Sequence, residues 1–193
     1  MPDGGEAASY PRIVGARRTR LSPWATLVEK DVVFTEGEPL QTYHCLTQAD
    51  YVGVLAITPD GLVPLVRQFR PAVECYTWEL PAGTIDAGET AADAARRELL
   101  EEAGLHADTL VPLGTYHPDT GRLDIKSHVF FARASRAEPA PAIEAGLETR
   151  FVSCAQLRQM IREREFTHQL HLGVYAAVLV AGVCPELLGS TGS

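Results

Sequence analysis

Three carboxylates in the run Arg97-Glu98-Leu99-Leu100-Glu101-Glu102 are spaced for metal chemistry. On a helix Glu98, Glu101 and Glu102 fall at i, i+3 and i+4 and share one face. Like charges so placed repel by roughly 0.2–0.5 kcal/mol per close pair, and a hard cation removes the repulsion. Carboxylate oxygens suit Mg²⁺, which keeps part of its water shell and completes it with substrate phosphates. Arg97 sits on the flank, where an Asp93–Arg97–Glu101 ladder at i, i+4 can fix the rotamers of the acidic face. The plain alternative is a solvated acidic surface.

A helix is the element that must position these groups. Thr90 can cap its start, Asp93 falls in the first turn, Gly104 fits the stop, and Ala91, Ala92, Ala94, Ala95, Leu99 and Leu100 are strong helix formers. Ahead of it, YTWELPAG (76–83) reads as a strand running straight into the loop before the helix. Further upstream, YVGVLAIT (51–58) is the continuous apolar run of a buried strand, Pro59-Asp60-Gly61 a turn, and LVPLVRQFR (62–70) a strand ending on Arg67 and Arg70.

The wider spacing decides between the two readings of the acidic face. Gly83 is followed by five residues and Glu89. Seven more lead to Arg97-Glu98-Leu99, then one residue, Glu101-Glu102, one residue, Gly104 and Leu105. This resembles the Nudix box at every specified position. The resemblance implies hydrolysis of a nucleoside diphosphate linked to another group. It makes Glu98 and Glu102 the main ligands of Mg²⁺ or Mn²⁺, with Glu101 close by, Glu89 in the same network and Arg97 orienting it. The longer stretch VRQFRPAVECYTWELPAGTIDAGE resembles the ADP-ribose pyrophosphatase branch. There the matching residues imply that Arg70 meets the substrate, Glu79 lies in the site and the Ala82 carbonyl binds metal. The fold implied is α+β: a Nudix α/β/α sandwich on a mixed sheet, with a small N-terminal β segment.

The same resemblance implies a homodimer that exchanges its N-terminal segment, with Trp24 and Tyr43 stacking the base. It also implies a general base on a loop after the box region. The matching loop, Arg136 to Gly146, is rich in Ala, Pro and Glu and lacks periodicity, so it should be mobile. Glu144 is its best-placed acid, ahead of Glu138, while Glu148 belongs to the next strand. After the box, Pro118-Asp119-Thr120-Gly121-Arg122-Leu123 departs from the branch's usual Ser-Pro-Gly-like loop. GDP-mannose, ADP-glucose or another dinucleotide-like diphosphate therefore stay open as substrates, as does a non-catalytic module that binds ADP-ribose. Arg122 is as readily a surface arginine as a phosphate contact. His117, His168 and His171 read as structural or solvated.

The chain divides on this reading into residues 1–48 (tail and small β segment), 49–185 (the Nudix domain) and 186–193 (a disordered tail). WATLVEKDVVF (24–34) and QTYHCL (41–46) are the N-terminal strands, with Arg17-Arg18-Thr19-Arg20 as a solvated entry. LVPLGTYH (110–117), KSHVFFARA (126–134) and ETRFVS (148–153) are strands. CAQLRQMIRERE (154–165) and THQLHLGVYAAVLVAG (167–182) are helices, the second largely buried because it is apolar nearly all round. A hydrophobic content of 46% suffices for a core, and a net charge of −8 argues against nucleic acid or an anionic membrane as the main partner. Cys45, Cys75, Cys154 and Cys184 form no C-x-x-C pair, there is no apolar signal region, and no apolar run is long enough to span a bilayer. A cytoplasmic setting is expected.

Overall fold

A computed structural model of the chain describes residues 10–139 and 141–189; residues 1–9, in the N-terminal tail, and 190–193, in the tail expected from 186 to be disordered, lie outside the described residues. The chain divides into two compact units, Met1–Ala49 with His117–Ile125, and Asp50–Tyr116 with Lys126–Ser193.

The first unit is an antiparallel sheet in the order β1 (Arg12–Arg20), β2 (Thr26–Val33), β3 (Gln41–Thr47). β1 is the strand the sequence reading missed. It is exposed along almost its whole length, so no apolar alternation marks it. Cross-strand charges serve instead, Arg17 lying 2.9 Å from Asp31 and 3.5 Å from Glu29. The segment His117–Ile125, assigned from sequence to the following domain, joins this unit. Leu46 N–H donates to the Arg122 carbonyl and Asp124 N–H to the Leu46 carbonyl, both at 2.8 Å. Trp24 stands 78% exposed in the β1–β2 turn and Tyr43 is 46% exposed. Tyr43 lies opposite Lys30 in the middle of β2.

In the second unit a four-stranded mixed sheet runs β7 (Ala82–Thr84), β4 (Tyr51–Ile57), β9 (Ser127–Arg136), β8 (Leu105–Tyr116). β4 and β9 are parallel and the other pairs antiparallel. An antiparallel sheet, β10 (Glu148–Ser153), β5 (Leu62–Arg70), β6 (Cys75–Glu79), accompanies it. Along β4 the side chains alternate between two cores. Val52, Val54 and Ala56 pack with Ala94, Ala95 and Leu99 of α1 (Ala91–Ala103). Leu55 and Ile57 pack with Leu157 of α2 (Cys154–Arg162) and with Val174 and Val178 of α3 (Gln169–Ala181). Helices cover both faces, which is the α/β/α sandwich the sequence led us to expect.

Three local expectations need correction. The stretch 76–83 is two strands, because Leu80-Pro81 interrupts the ladder where proline has no N–H to give. α3 buries only one stripe, His171, Val174 and Val178, while Val180 is 90% exposed; apolar composition all round does not require burial all round. Residues 186–189 do not begin a loose tail, since Pro185–Leu188 forms a 3-10 turn with Leu187 buried and its carbonyl bonded to Arg158. Among the described residues no helix is long and apolar enough to cross a membrane.

Candidate active site

Helix α1 forms as its sequence directs. Thr90 Oγ1 accepts from Asp93 N–H, and Gly104 ends the helix in the left-handed conformation that glycine adopts without strain. The result puts Glu98 (7% exposed) and Glu102 (4%) under the surface and leaves Glu101 at its edge. Arg97 is the hub: its guanidinium lies 2.9 Å from Glu89, 2.7 Å from Glu98 and 3.2 Å from Glu101, and it donates to the Thr84 carbonyl at 2.9 Å. These contacts raise the arginine's pKa, the Glu89 hydrogen bond most of all.

Among the described residues Glu102 has no cationic side chain in contact. Its Oε2 accepts from the Ala82 N–H at 2.9 Å. Burial, reinforced by Glu98, Glu144 and Glu79, pushes its carboxyl up to about 8 against that hydrogen bond. Burial also raises Glu98, against the pull of Arg97. Glu98 has Arg97 as its counter-charge and Glu102 has only a backbone N–H, so Glu102 is the carboxyl that a cation would help most to ionise. All the donors are hard oxygens, so the arrangement fits Mg²⁺ or Mn²⁺. Gly83 is the second sign of design: a Cβ there would meet Glu98 Oε1 at 2.0 Å. Only glycine leaves this carboxylate its place.

The raised Glu102 pKa has a measurable consequence. A carboxyl whose folded pKa exceeds its unfolded value of about 4.5 binds more protons folded than unfolded in the interval between the two. Stability is then lost as pH rises through that interval. Metal-free protein should melt at progressively lower temperature from about pH 5 to about pH 8. Glu102→Gln should flatten that slope, raising Tm at pH 8 and changing it little at pH 4.5. Equal slopes in the two proteins, followed by scanning calorimetry in chelator, would show that Glu102 carries no such penalty.

Arg70 and Glu79 meet at the ends of β5 and β6. Arg70 Nε and Nη2 donate to the two Glu79 oxygens at 2.8 and 2.5 Å, and Thr77 Oγ1 donates at 2.5 Å. Burial would raise Glu79, but these bonds outweigh it and hold the carboxyl below its usual value. Arg70 stays one-third exposed and its Nη1 has no protein partner among the described residues. The pairing orients the guanidinium and leaves one edge free.

His168 and His171 lie within 4 Å of Glu79, and the sequence reading gave them no place here. This trio does not fit a metal. His171 Nδ1 already accepts from Leu80 N–H at 2.8 Å, and both Glu79 oxygens face the Arg70 cation. No spacing marks it, since α3 follows β6 by some ninety residues.

Glu144 comes from the 137–147 segment. Its N–H donates to the Glu101 carbonyl at 3.3 Å, and its charge adds to the raised pKa of Glu98 and Glu102. With Arg97, Glu98, Glu101 and Ala142 it lines a cavity of about 500 Å³. Tyr43, in the first unit, lines another of about 530 Å³ with Phe34, Arg12 and Arg122, and Trp24 is not in its wall.

Known proteins carry related sequences. An ADP-ribose pyrophosphatase of Bacillus subtilis is 40% identical over 81 residues, 42% of this chain and 44% of that one, so the match spans less than half of that relative. The ADP-ribose pyrophosphatase of Mycobacterium tuberculosis is 28% identical over 155 residues, 78% of this chain and 75% of its own. A CMP-5'-(N-acetyl-N-hydroxy-3-aminopropyl)phosphonate hydrolase of Streptomyces rubellomurinus is 26% identical over 172 residues, 87% and 82% of the two chains. A crystal structure titled as an ADP compounds hydrolase superposes with a TM-score of 0.75 at 20% identity, over 94% of this chain and 97% of that one, a likeness of fold. The NUDIX domain model matches residues 47–170, more than half of the chain and the whole acidic helix, and the protein belongs to that family.

Proposed function

We propose that the chain is a Mg²⁺-dependent pyrophosphatase that cleaves ADP-ribose or a related nucleoside diphosphate sugar to a nucleoside monophosphate and a sugar phosphate. The observation that carries the reading is the buried Glu98–Glu102 pair beside Arg97, with Glu98 and Glu101 opening on a cavity that Glu144 shares. The two relatives named ADP-ribose pyrophosphatase support the substrate class. Glu98, Glu101, Glu102 and the Ala82 carbonyl would hold the ion. A bound divalent cation neutralises a diphosphate and lowers the pKa of water.

The chain's residues do the rest. Arg97 holds Glu98 and Glu101 in place. Arg70, gripped by Glu79, offers its free edge to the phosphate charge that develops as the P–O bond breaks. Glu144 takes the proton of the water that attacks phosphorus, and the leaving phosphate departs with the broken bridging oxygen. A panel of nucleoside diphosphate sugars with Mg²⁺, read as phosphate released after phosphatase coupling, tests this. ADP-ribose should lead it, and no turnover of any member rejects the reading. The Streptomyces relative, whose name specifies a CMP-linked phosphonate, and the departure at Pro118–Leu123 support a second reading, in which another nucleotide conjugate is preferred.

Assembly belongs to the same proposal. The first unit's sheet leaves Ile13, Trp24, Leu40 and Tyr43 exposed, surface that a second copy could cover. A homodimer that exchanges this segment would bring Trp24 and Tyr43 to the base. Four free cysteines agree with a cytoplasmic setting. Base stacking on an aromatic ring is worth about 1–3 kcal/mol, so Trp24→Ala should raise KM for ADP-ribose ~10-fold with kcat and dimer intact. A monomer by light scattering at micromolar concentration rejects the dimer.

A further inference from the structure

His171 is a buried titratable group that the proposed chemistry does not use. It lies on α3, outside the Nudix box, with no exposure to solvent. Its Nδ1 accepts from the Leu80 N–H at 2.8 Å, which requires that nitrogen to be unprotonated. The proton of the neutral ring therefore sits on Nε2, 3.1 Å from Tyr51 Oη and 3.8 Å from Glu79 Oε2. Burial, with the tilted His168 ring 4.2 Å away between ring centres, pushes the pKa of His171 down to about 3 and keeps the ring in this state.

What the ring holds matters more than its charge. β6 ends at Glu79 and β7 begins at Ala82. Leu80 and Pro81 lie between them with no ladder partner to accept from Leu80. Leu80 is 1% exposed, and a buried N–H without an acceptor is costly. Proline offers no second N–H. On one side of this gap Glu79 grips Arg70; on the other the Ala82 N–H is bonded to Glu102. The Pro81 carbonyl accepts from the Val54 N–H at 3.0 Å, and His171 supplies the acceptor for the Leu80 N–H that the broken sheet does not.

We propose that His171 is a positioning residue. Through the Leu80 N–H it fixes the Leu80-Pro81 gap, and so sets the phosphate-facing Arg70–Glu79 pair relative to the metal-binding Ala82 carbonyl and Glu102 carboxylate. The inference rests on the metal and substrate reading given above, and its test separates the two.

Two polar variants place an acceptor differently. In His171→Asn the Oδ1 stands where Nδ1 stood and can still take the Leu80 N–H. In His171→Gln the acceptor lies out near the Nε2 position and leaves Leu80 unmatched. Both lose the ring, and Gln keeps a polar end near Tyr51 while Asn does not, so a purely structural role predicts damage in His171→Asn at least as large as in His171→Gln. Mn²⁺ affinity by EPR titration without substrate, Tm, and kcat with Mg²⁺ should be measured on each. His171→Gln should weaken Mn²⁺ binding and kcat by ~10- to 100-fold, the scale for groups that orient metal ligands. His171→Asn should stay within ~3-fold of wild type in both, whatever its Tm. Equal Mn²⁺ affinity in the two variants overturns the proposal. If wild type turns over no nucleoside diphosphate sugar while the Asn/Gln difference in Mn²⁺ affinity persists, the substrate reading fails and the positioning role stands. Turnover by wild type with no such difference fails the positioning role alone.

Discussion

Glu98→Gln should lower turnover at least ~100-fold, the scale of losing one preorganised electrostatic contact to the transition state, and leave the fold intact. The substitution keeps the size of the side chain and its place on α1. It removes one of two buried charges, and Glu98 is where the protein commits most geometry to a single carboxylate. Arg97 Nη1 holds its Oε1 at 2.7 Å, and Gly83 gives up a side chain so that this oxygen can occupy the space. Repulsion from Glu101 and Glu144 disappears with the charge, so Tm of the metal-free protein should not fall. Gly83→Ala reaches the same carboxylate from the other side. Its methyl group displaces the flexible end of Glu98, so a folded protein with weakened Mn²⁺ binding is expected. Near-normal turnover by Glu98→Gln at saturating Mg²⁺ would sink the assignment of this residue to the metal.

Much of this site is legible in the sequence because local geometry writes it there. Glu98, Glu101 and Glu102 share a helix face by period alone, Thr90 and Gly104 bracket that helix, and Gly83 opens the spacing that leads to it. Strand β4 is legible for a similar reason: a run buried on both sides carries no polar residue. What stays hidden depends on contacts remote in sequence. His171 reaches Leu80 from α3, ninety-one residues later, and its own helix reads as uniformly apolar. The segment His117–Ile125 joins the N-terminal unit through backbone hydrogen bonds to Leu46, which leave no side-chain signature. β1 is exposed almost throughout and held by charge pairs, so the alternation that reveals strands is absent. Burial of α3 was misjudged because composition says what a helix can cover, and the partner elements decide which stripe is covered.

Glu144→Gln should lower kcat by ~10²–10⁴, the range for a general base, with KM little changed. The carboxylates on α1 are poor candidates for the base when they hold a cation, since coordination occupies their lone pairs. The base must then come from another element within reach of the same space. Among the three acids near the 137–147 segment only one meets that condition. Glu148 opens β10 and is bonded to Arg67 at 3.1 Å. Glu138 lines a different cavity, with Arg136, Pro141 and Ile143. Glu144 shares its cavity with Arg97, Glu98 and Glu101 and is anchored by its own N–H to the Glu101 carbonyl. Its negative field at Glu98 and Glu102 is the electrostatic mark of that closeness. Binding a cation between them turns the same closeness from a cost into an attraction, which would draw the segment inward once metal is present. Single-turnover kinetics on the three Gln variants separate the possibilities. Loss confined to Glu144→Gln assigns the base; loss in Glu148→Gln or Glu138→Gln with Glu144→Gln active moves it; full activity in all three removes the segment from the chemistry.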